Sequence, residues 1–426
     1  MKECVIEKFN RKGRGVSSCG TEIVGAIPGD VVRFTRKSEP FELLQPSLDR
    51  VPLRCMHAPS CGGCAWQQMR YEAQLNEKQK CVERLFDPFA VRPIIPAVKE
   101  WHYRNKMEFS FSQNKAGEKF LGLVLAGTRG HVFNLKECHL VSPWMAKCLS
   151  DVRKWWEESG LLAYRLNDTG TLRTLTMREG ENNLLMLTVS GNPAFATPKA
   201  ALDRFVKAVD PSLSLFLRIQ QIHKGRPTEF FEMHLAGKDH IMQSLTLPTG
   251  VLRFKISPTS FFQPNTCQAE VLYATALSLI DSPKNHVLDL YAGTATLGMA
   301  MATFAKKVTS IEINPHACFD AEVNKQLNGL DHLEILCGDV GKLLPTLDSK
   351  PDLVVVDPPR PGLGKEAIAA ILGLNPPEIL YISCNPHTQA PEVQAFIQAG
   401  YALIALQPVD QFPHTPHIEN IAYLKR

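Results

Sequence analysis

One thiol and a set of carboxylates carry the chemistry legible in this chain. Glu378-Ile-Leu-Tyr-Ile-Ser383 reads as a short apolar strand rich in β-branched and aromatic residues, and Cys384-Asn385-Pro386 ends it. Cys384 therefore falls where a buried strand meets a loop. In open α/β sheets the carboxyl ends of strands form the crevice that binds ligands. A thiol there is a nucleophile or, in the plainer reading, a small packing residue. Upstream strand candidates end in acids. Asp289-Leu-Tyr291-Ala-Gly293-Thr-Ala295-Thr296-Leu-Gly298 lies between the strand His286-Val-Leu288 and a helix over 297–305. Val308-Thr-Ser-Ile-Glu312, Glu334 to Asp339 and Leu353-Val-Val-Val-Asp357 follow. Asp289, Glu312, Asp339 and Asp357 are expected to meet at one crevice.

A strand, a glycine turn and a helix open a nucleotide-binding α/β domain, and an acid about twenty residues on can accept both hydroxyls of a ribose. The turn lacks the full G-x-G-x-x-G that lets a pyrophosphate approach. An acidic crevice repels phosphates and suits a cationic sulfonium. S-adenosylmethionine is thus the expected ligand. Asp357-Pro358-Pro359-Arg360 has neither the aromatic residue of adenine N-methyltransferases nor the Cys of RNA cytosine-C5 methyltransferases after its two prolines.

The constellation suits methylation at carbon 5 of uracil. That carbon is a poor nucleophile until a thiolate adds to carbon 6 and makes it an enolate carbon. A base must then remove the carbon-5 proton so that the thiolate leaves. Cys384 is the candidate nucleophile and Glu419, just before the final strand 421–424, the candidate base. A flipped base also needs a stacking ring and polar anchors. Ser260-Phe261-Phe262-Gln263-Pro-Asn265 offers both, although one or both rings can instead be core. In Val409-Asp410-Gln411-Phe412-Pro413-His414-Thr415-Pro416-His417-Ile418-Glu419 the two histidines have no evident third metal ligand and are expected to shape the loop.

These residues need elements to hold them. A chain of 426 residues with 44% hydrophobic and 21% charged content is ordinary globular material for two to four domains. The N-terminal residues contain no apolar run suited to a signal peptide, and no stretch is suited to span a membrane. Twelve Cys without a secretory signal are expected to be cytosolic thiols or metal ligands. A net charge of +4 neither demands nor excludes an anionic partner. Residues 1–51 read as a small β module with strands near Cys4–Glu7, Glu22–Gly25 and Asp30–Thr35 and a turn at Gly13-Arg-Gly15. Lys8, Arg11, Lys12, Arg14, Arg33, Arg36 and Lys37 make it basic, as in an RNA-binding barrel or a merely solvated one. An α+β stretch follows over 52–250, and the crevice belongs to 251–426. Within 52–250, Cys55, Cys61 and Cys64 are spaced C-x5-C-x2-C, and Cys138 is the best fourth ligand. Four thiolates suit zinc or an iron–sulfur cluster, and spacing leaves both open. His57 and His139 are expected to be neighbours, and Cys81 to pack inside a helix over 71–86. Trp101-His-Tyr103-Arg104-Asn105-Lys106 interleaves rings and cations that can stack on bases and pair with phosphates. A helix over 145–159 follows the capping pair Ser142-Pro143.

Taken together, the four-Cys site, FFQPN, DLYAG, DPPRPG, SCNP and DQFPHTPHIE make the chain resemble the RNA uridine-C5 methyltransferase family over nearly its whole length, most closely the branch acting on 23S rRNA. The resemblance implies a Rossmann-like class I methyltransferase domain, an N-terminal TRAM/OB-like β-barrel and an α+β iron–sulfur domain. It implies a [4Fe–4S] cluster on Cys55, Cys61, Cys64 and Cys138, with Cys384 as nucleophile and Glu419 as base. It implies S-adenosylmethionine contacts from Gln263, Tyr291, Thr296, Glu312, Asp339 and Asp357. Phe261 matches the ring expected to stack on the flipped uracil, and Arg104 and Lys106 are expected on RNA. In the family the turn reads Asp-Leu-Tyr-x-Gly-x-Gly, whereas this chain has Ala295 at the second Gly. That is harmless at negative φ and costly at positive φ. The tRNA branch typically lacks the N-terminal module and the cluster, so their presence argues for rRNA. The expected protein is a cytoplasmic monomer that binds RNA, not DNA or membrane. The rivals are a tRNA uridine methyltransferase and a non-catalytic RNA-binding factor.

Overall fold

A computed structural model describes residues 2–35, 41–58, 60–128, 130–223, 225–347 and 350–426. Arg36 and Lys37 lie outside the described residues. The chain forms two compact units: residues 1–71, 100–242 and 414–416 make the first, and 72–99, 243–413 and 417–426 the second.

The first unit holds two sheets. The N-terminal one is antiparallel, in the order Glu22–Ile23, Gly15–Ser17, Lys2–Phe9, Val31–Phe34, Glu42–Gln45. Gly15 begins a strand there, paired with Phe9, instead of completing a turn, and the module packs so tightly on it that a Cβ would lie 2.7 Å from the Ala26 carbonyl oxygen. Ile6, Ile23, Val32 and Phe34 form its small core. Asp30 is fully buried and accepts from the Ile27 N–H (2.8 Å), the Ser47 N–H (3.0 Å) and the Arg50 Nε (3.0 Å), which compensates its desolvation. The second sheet runs Glu229–Ala236, Ser214–Gln221, Leu184–Ser190, Leu172–Arg178, Lys106–Gln113, Lys119–Gly122. Helices Pro143–Ser159 and Lys199–Ala208 share a core with it, where Trp155, Trp156 and Phe205 meet Phe109, Phe111 and Leu175. Ser142 stands at the N-cap position, but its hydroxyl donates to Glu179 (2.6 Å) and caps no helical N–H. A side chain to side chain bond has displaced the expected cap.

The second unit is organised by seven strands: β1 Lys284–Leu290, β2 Ala305–Glu312, β3 Leu333–Cys337, β4 Leu353–Val356, β5 Glu378–Ser383, β6 Ala402–Val409 and β7 Glu419–Lys425. Their order is β3-β2-β1-β4-β5-β7-β6. The first five are parallel, and β7 runs antiparallel between β5 and β6. Buried parallel strands carry near-continuous apolar runs, and Leu353-Val-Val-Val356 is fully buried. Helices Thr296–Ala302, Pro315–Leu327, Gly364–Leu374 and Pro386–Gln398 connect them. Helix Tyr71–Phe86, at the bounds its sequence predicts, packs Val82 and Phe86 into the same core, with Cys81 partly buried against it. This is a Rossmann-like α/β fold. Among the described residues no helix is long and apolar enough to cross a membrane.

Candidate active site

Register sets the site. Ile311, Leu290, Val356 and Tyr381 are aligned across β2, β1, β4 and β5. The next residues therefore stand at one level: Glu312 as the last residue of β2, and Tyr291 and Asp357 just beyond β1 and β4. Cys384 leaves β5 just beyond Ser383, which pairs with Asn420 of β7. Glu419 thus comes beside Cys384 from the antiparallel strand. It is the first residue of β7, opposite Val409, and not part of the loop before it. The ladder with β6 continues further than the apolar run suggests.

Asp289 departs from expectation. It lies inside β1, paired with Ser310 and Val355, and is buried instead of standing at the strand end. The Ser310 hydroxyl donates to it at 2.9 Å. Burial pushes its carboxyl up to about 7, and this hydrogen bond opposes the shift. Gly298 makes the arrangement possible: a Cβ there would lie 2.2 Å from Ser310 Oγ and 2.6 Å from Asp289 Oδ2. Glu312 takes the Gly293 N–H on one oxygen (2.9 Å) and the Asn314 N–H on the other (2.8 Å). Each oxygen keeps a lone pair for a ligand hydroxyl. Asp339 is exposed and caps the short helix Val340–Leu343 through the Lys342 N–H (3.1 Å).

The turn between β1 and its helix is strained. Tyr291 and Ala295 are left-handed, with φ of 62° and 55°, and Gly293 has φ 56°. Ala295 is fully buried and its N–H donates to the Ala292 carbonyl at 2.8 Å. The departure from Gly therefore falls at a costly backbone position, and surrounding packing holds it. Thr296 opens the helix, its Oγ1 3.1 Å from that of Thr294.

Burial first, then Glu419 and Asp357, push the Cys384 thiol up to about 11, and Arg360 opposes them. Burial raises Asp357 to about 7. Glu419 is raised well above the usual carboxylate range by burial and then by Asp357. The Arg360 guanidinium stands 3.3 Å from His417 Nε2, and its carbonyl accepts from Asn385 Nδ2 (3.1 Å) and Thr388 Oγ1 (3.3 Å). The loop after β4 is thereby tied to the start of helix Pro386–Gln398. Phe262 is buried against Phe254, while Phe261 is 62% exposed, so the two rings divide core packing and access between them. Gln263 is buried and hydrogen bonds the buried Tyr273 hydroxyl. Asn265 caps helix Thr266–Ser278, and its Nδ2 donates to the Gln411 carbonyl at 2.9 Å.

Three supports escaped sequence reasoning. Lys78 and Asp410 form a fully buried ion pair at 2.6 Å, and Lys78 also donates to the Phe412 carbonyl (3.1 Å). Glu392 accepts from the Leu363 and Gly364 N–H groups (2.9 and 3.1 Å) and from the Tyr381 hydroxyl. Tyr273 stands among Gln263, Asp357 and Glu419. Only Asp410, inside a motif already singled out, had a signal.

In the first unit, Cys55, Cys61, Cys64 and Cys138 line one cavity with apolar walls that include Leu123 and Met107. Burial raises all four thiols. The His57 and Gly63 N–H groups donate to Cys55 and Cys61 sulfur, each at 3.4 Å. His57 Nε2 is taken by the Lys136 N–H (3.0 Å). Among the described residues no three His, Cys, Asp or Glu side chains are arranged to hold a metal ion. Lys106 begins the strand Lys106–Gln113 and Arg104 lies two residues before it, its Nε donating to the Lys106 carbonyl (2.9 Å). Burial, then Arg178, bring Lys106 down to about 8. Tyr103 is core, and Trp101 stacks on His414 at 3.8 Å, so that stretch presents cations more than rings.

The chain matches the tRNA (Uracil-5-)-methyltransferase family over residues 70–339 and 346–426. It belongs to that family. Its activity is therefore methyl transfer to carbon 5 of uracil in RNA. The methyltransferase is 47% identical over 439 residues to an uncharacterized RNA methyltransferase of Protochlamydia amoebophila, covering 95% of this chain and 99% of that protein. It is 33% identical to another from Caldanaerobacter subterraneus, covering 99% and 98%. It also resembles the Pyrococcus abyssi tRNA (uracil-54, C5)-methyltransferase solved with S-adenosyl-L-homocysteine, with TM-score 0.79, 25% identity and coverage of 99% and 100%. That tRNA enzyme aligns along the full chain, N-terminal module and four-Cys region included. Chain length and overall architecture therefore do not distinguish an rRNA from a tRNA substrate.

Proposed function

We propose that this methyltransferase uses S-adenosylmethionine to make 5-methyluridine in 23S rRNA through a covalent adduct on Cys384. The observation that carries the mechanism is that Cys384, just beyond the end of β5, and Glu419, at the start of the antiparallel β7, meet in one acidic, largely buried crevice. S-adenosylmethionine, when bound, supplies an electrophilic methyl group. Glu312 suits a ribose, with Gly293 and Asn314 fixing both its oxygens, and Tyr291, Thr296, Asp339, Asp357 and Gln263 complete the proposed contacts. Phe261 stacks on the extruded uracil, whose π-face any exposed ring can meet. Cys384 gives up its thiol proton and its sulfur adds to carbon 6, and carbon 5 takes the methyl group as the donor's sulfur–methyl bond breaks and S-adenosylhomocysteine leaves. Glu419 then removes the carbon-5 proton, and the Cys384–carbon bond breaks.

Cys55, Cys61, Cys64 and Cys138 would hold a [4Fe–4S] cluster. An all-thiol donor set with N–H groups aimed at sulfur suits one, and the cluster would fix residues 55–64 against Cys138. Methyl transfer itself moves no electrons. Residues 1–51 act as the TRAM-like RNA-binding module, 52–250 as the cluster domain with Arg104 and Lys106 on phosphates, and 251–426 as the catalytic domain. The ribosomal assignment rests on the resemblance of the chain, with its N-terminal module and four-Cys site, to the 23S rRNA branch. The full-length likeness to a tRNA enzyme favours tRNA as the second reading. Unmodified 23S rRNA and tRNA transcripts are offered with labelled donor to wild type and Cys384→Ala. Label in rRNA carbon 5, lost in the variant, is expected. Label in tRNA alone replaces the substrate, and label retained by Cys384→Ala overturns the thiol mechanism.

A further inference from the structure

Two thiols far along the chain from the catalytic motifs face each other in the N-terminal sheet. Cys4 lies on the strand Lys2–Phe9, and Cys19 on the turn between Gly15–Ser17 and Glu22–Ile23. Their sulfurs are 3.3 Å apart. Cys19 is exposed and Cys4 partly so. The Ser17 and Thr21 hydroxyls lie 3.2 and 3.5 Å from Cys19 sulfur. Register brings the thiols together: Ile6 pairs with Ser17, and the Ser18 N–H donates to the Val5 carbonyl at 2.9 Å. Exposed, hydroxyl-bonded sulfur beside a second thiol is the arrangement of an attacking and a resolving cysteine.

We infer that Cys4 and Cys19 form an oxidisable dithiol at which hydrogen peroxide modifies this protein. The Cys19 thiolate attacks one peroxide oxygen; an S–O bond forms, the O–O bond breaks, and the leaving hydroxide is protonated to water. Cys4 sulfur then attacks Cys19 sulfur. The S–S bond forms, the S–O bond breaks, and the departing hydroxide takes the Cys4 proton. Two thiols are oxidised by two electrons, and one peroxide becomes two waters. The hydroxyls and Cys4 bring the Cys19 thiol down to about 6. Its greater thiolate fraction near neutral pH outweighs its lower intrinsic nucleophilicity, for a net gain of about fivefold over an ordinary thiol.

The test uses the reduced full-length chain. After peroxide, alkylation and trypsin, a cross-linked pair of the peptides Glu3–Lys8 and Gly15–Arg33 is expected, and prior reductant removes it. In Cys4→Ser, dimedone traps a sulfenic acid on Cys19. In Cys19→Ser, the Cys4 peptide is recovered as the alkylated thiol. Iodoacetamide labels native Cys19 about fivefold faster than the same residue in urea. Unchanged recovery of both peptides after peroxide, or slower labelling of Cys19 in the native state, overturns the proposal.

Discussion

Replacing Lys78 by Met removes one half of the fully buried Lys78–Asp410 pair. Asp410 keeps the Phe412 N–H at 3.1 Å. It loses the charge that offsets its desolvation, and the Phe412 carbonyl loses a donor. An uncompensated buried charge costs about 3–5 kcal/mol. Burial alone pulls the Lys78 amine down and Asp410 pulls it back up, so each charge depends on the other. For a unit of about 200 residues the expected loss is roughly 6–20 °C in the unfolding temperature of the second unit, at ~2–4 °C per kcal/mol. The pair also anchors the start of the segment that ends at Glu419, so methyl transfer should fall further than donor binding. The assay is calorimetry on wild type, Lys78→Met, Asp410→Asn and the double variant. Removing both charges spares the desolvation penalty, so the double variant should recover more than half of the loss. A Lys78→Met cost below ~1 kcal/mol, or a double variant no better than the sum of its parts, refutes the reasoning.

Phe261→Ala should leave stability within about 0.5 kcal/mol, because the ring is exposed, while kcat/KM for RNA falls roughly 5- to 150-fold, the worth of one stacked base; equal loss in thermal stability would make the ring structural. Asp357 ionises near 7, so at pH 9 its charge opposes the Cys384 thiolate. Asp357→Asn should therefore speed Cys384 alkylation at pH 9 about 3- to 10-fold and move its pH profile downward, and a profile moved upward would reverse the electrostatic argument. Ala295→Gly relieves about 1–2 kcal/mol of left-handed strain but loses a buried methyl and gains unfolded-state freedom of similar size. Calorimetry should show stability unchanged within ~1 kcal/mol, and titration should give donor affinity within about twofold, since the turn already holds its shape; a tenfold tighter complex would mean that Ala295 distorts the pocket.

Some of this protein is written in its linear sequence. The apolar runs ending at Ser383, Glu312 and Val356 are the strands β5, β2 and β4, and helix Tyr71–Phe86 has its predicted bounds. These follow from side-chain type and local periodicity, which sequence carries directly. Phe261 and Phe262 show the limit: one is core and one exposed, and adjacent identical residues give no local cue as to which. Tyr103 looked available for stacking and is buried, Ser142 looked like a cap and bonds Glu179 instead, and Asp289 looked like a strand end and lies within β1. Each was decided by a partner distant in sequence. The sign of φ at Ala295 depended on how the helix after the turn packs on β1, and Lys78 found Asp410 across 332 positions. The sequence by itself determined which residues are able to attack, accept protons and bind. Register and packing alone decided which of them meet, because pairing β5 with β7 is a long-range choice that no local window contains.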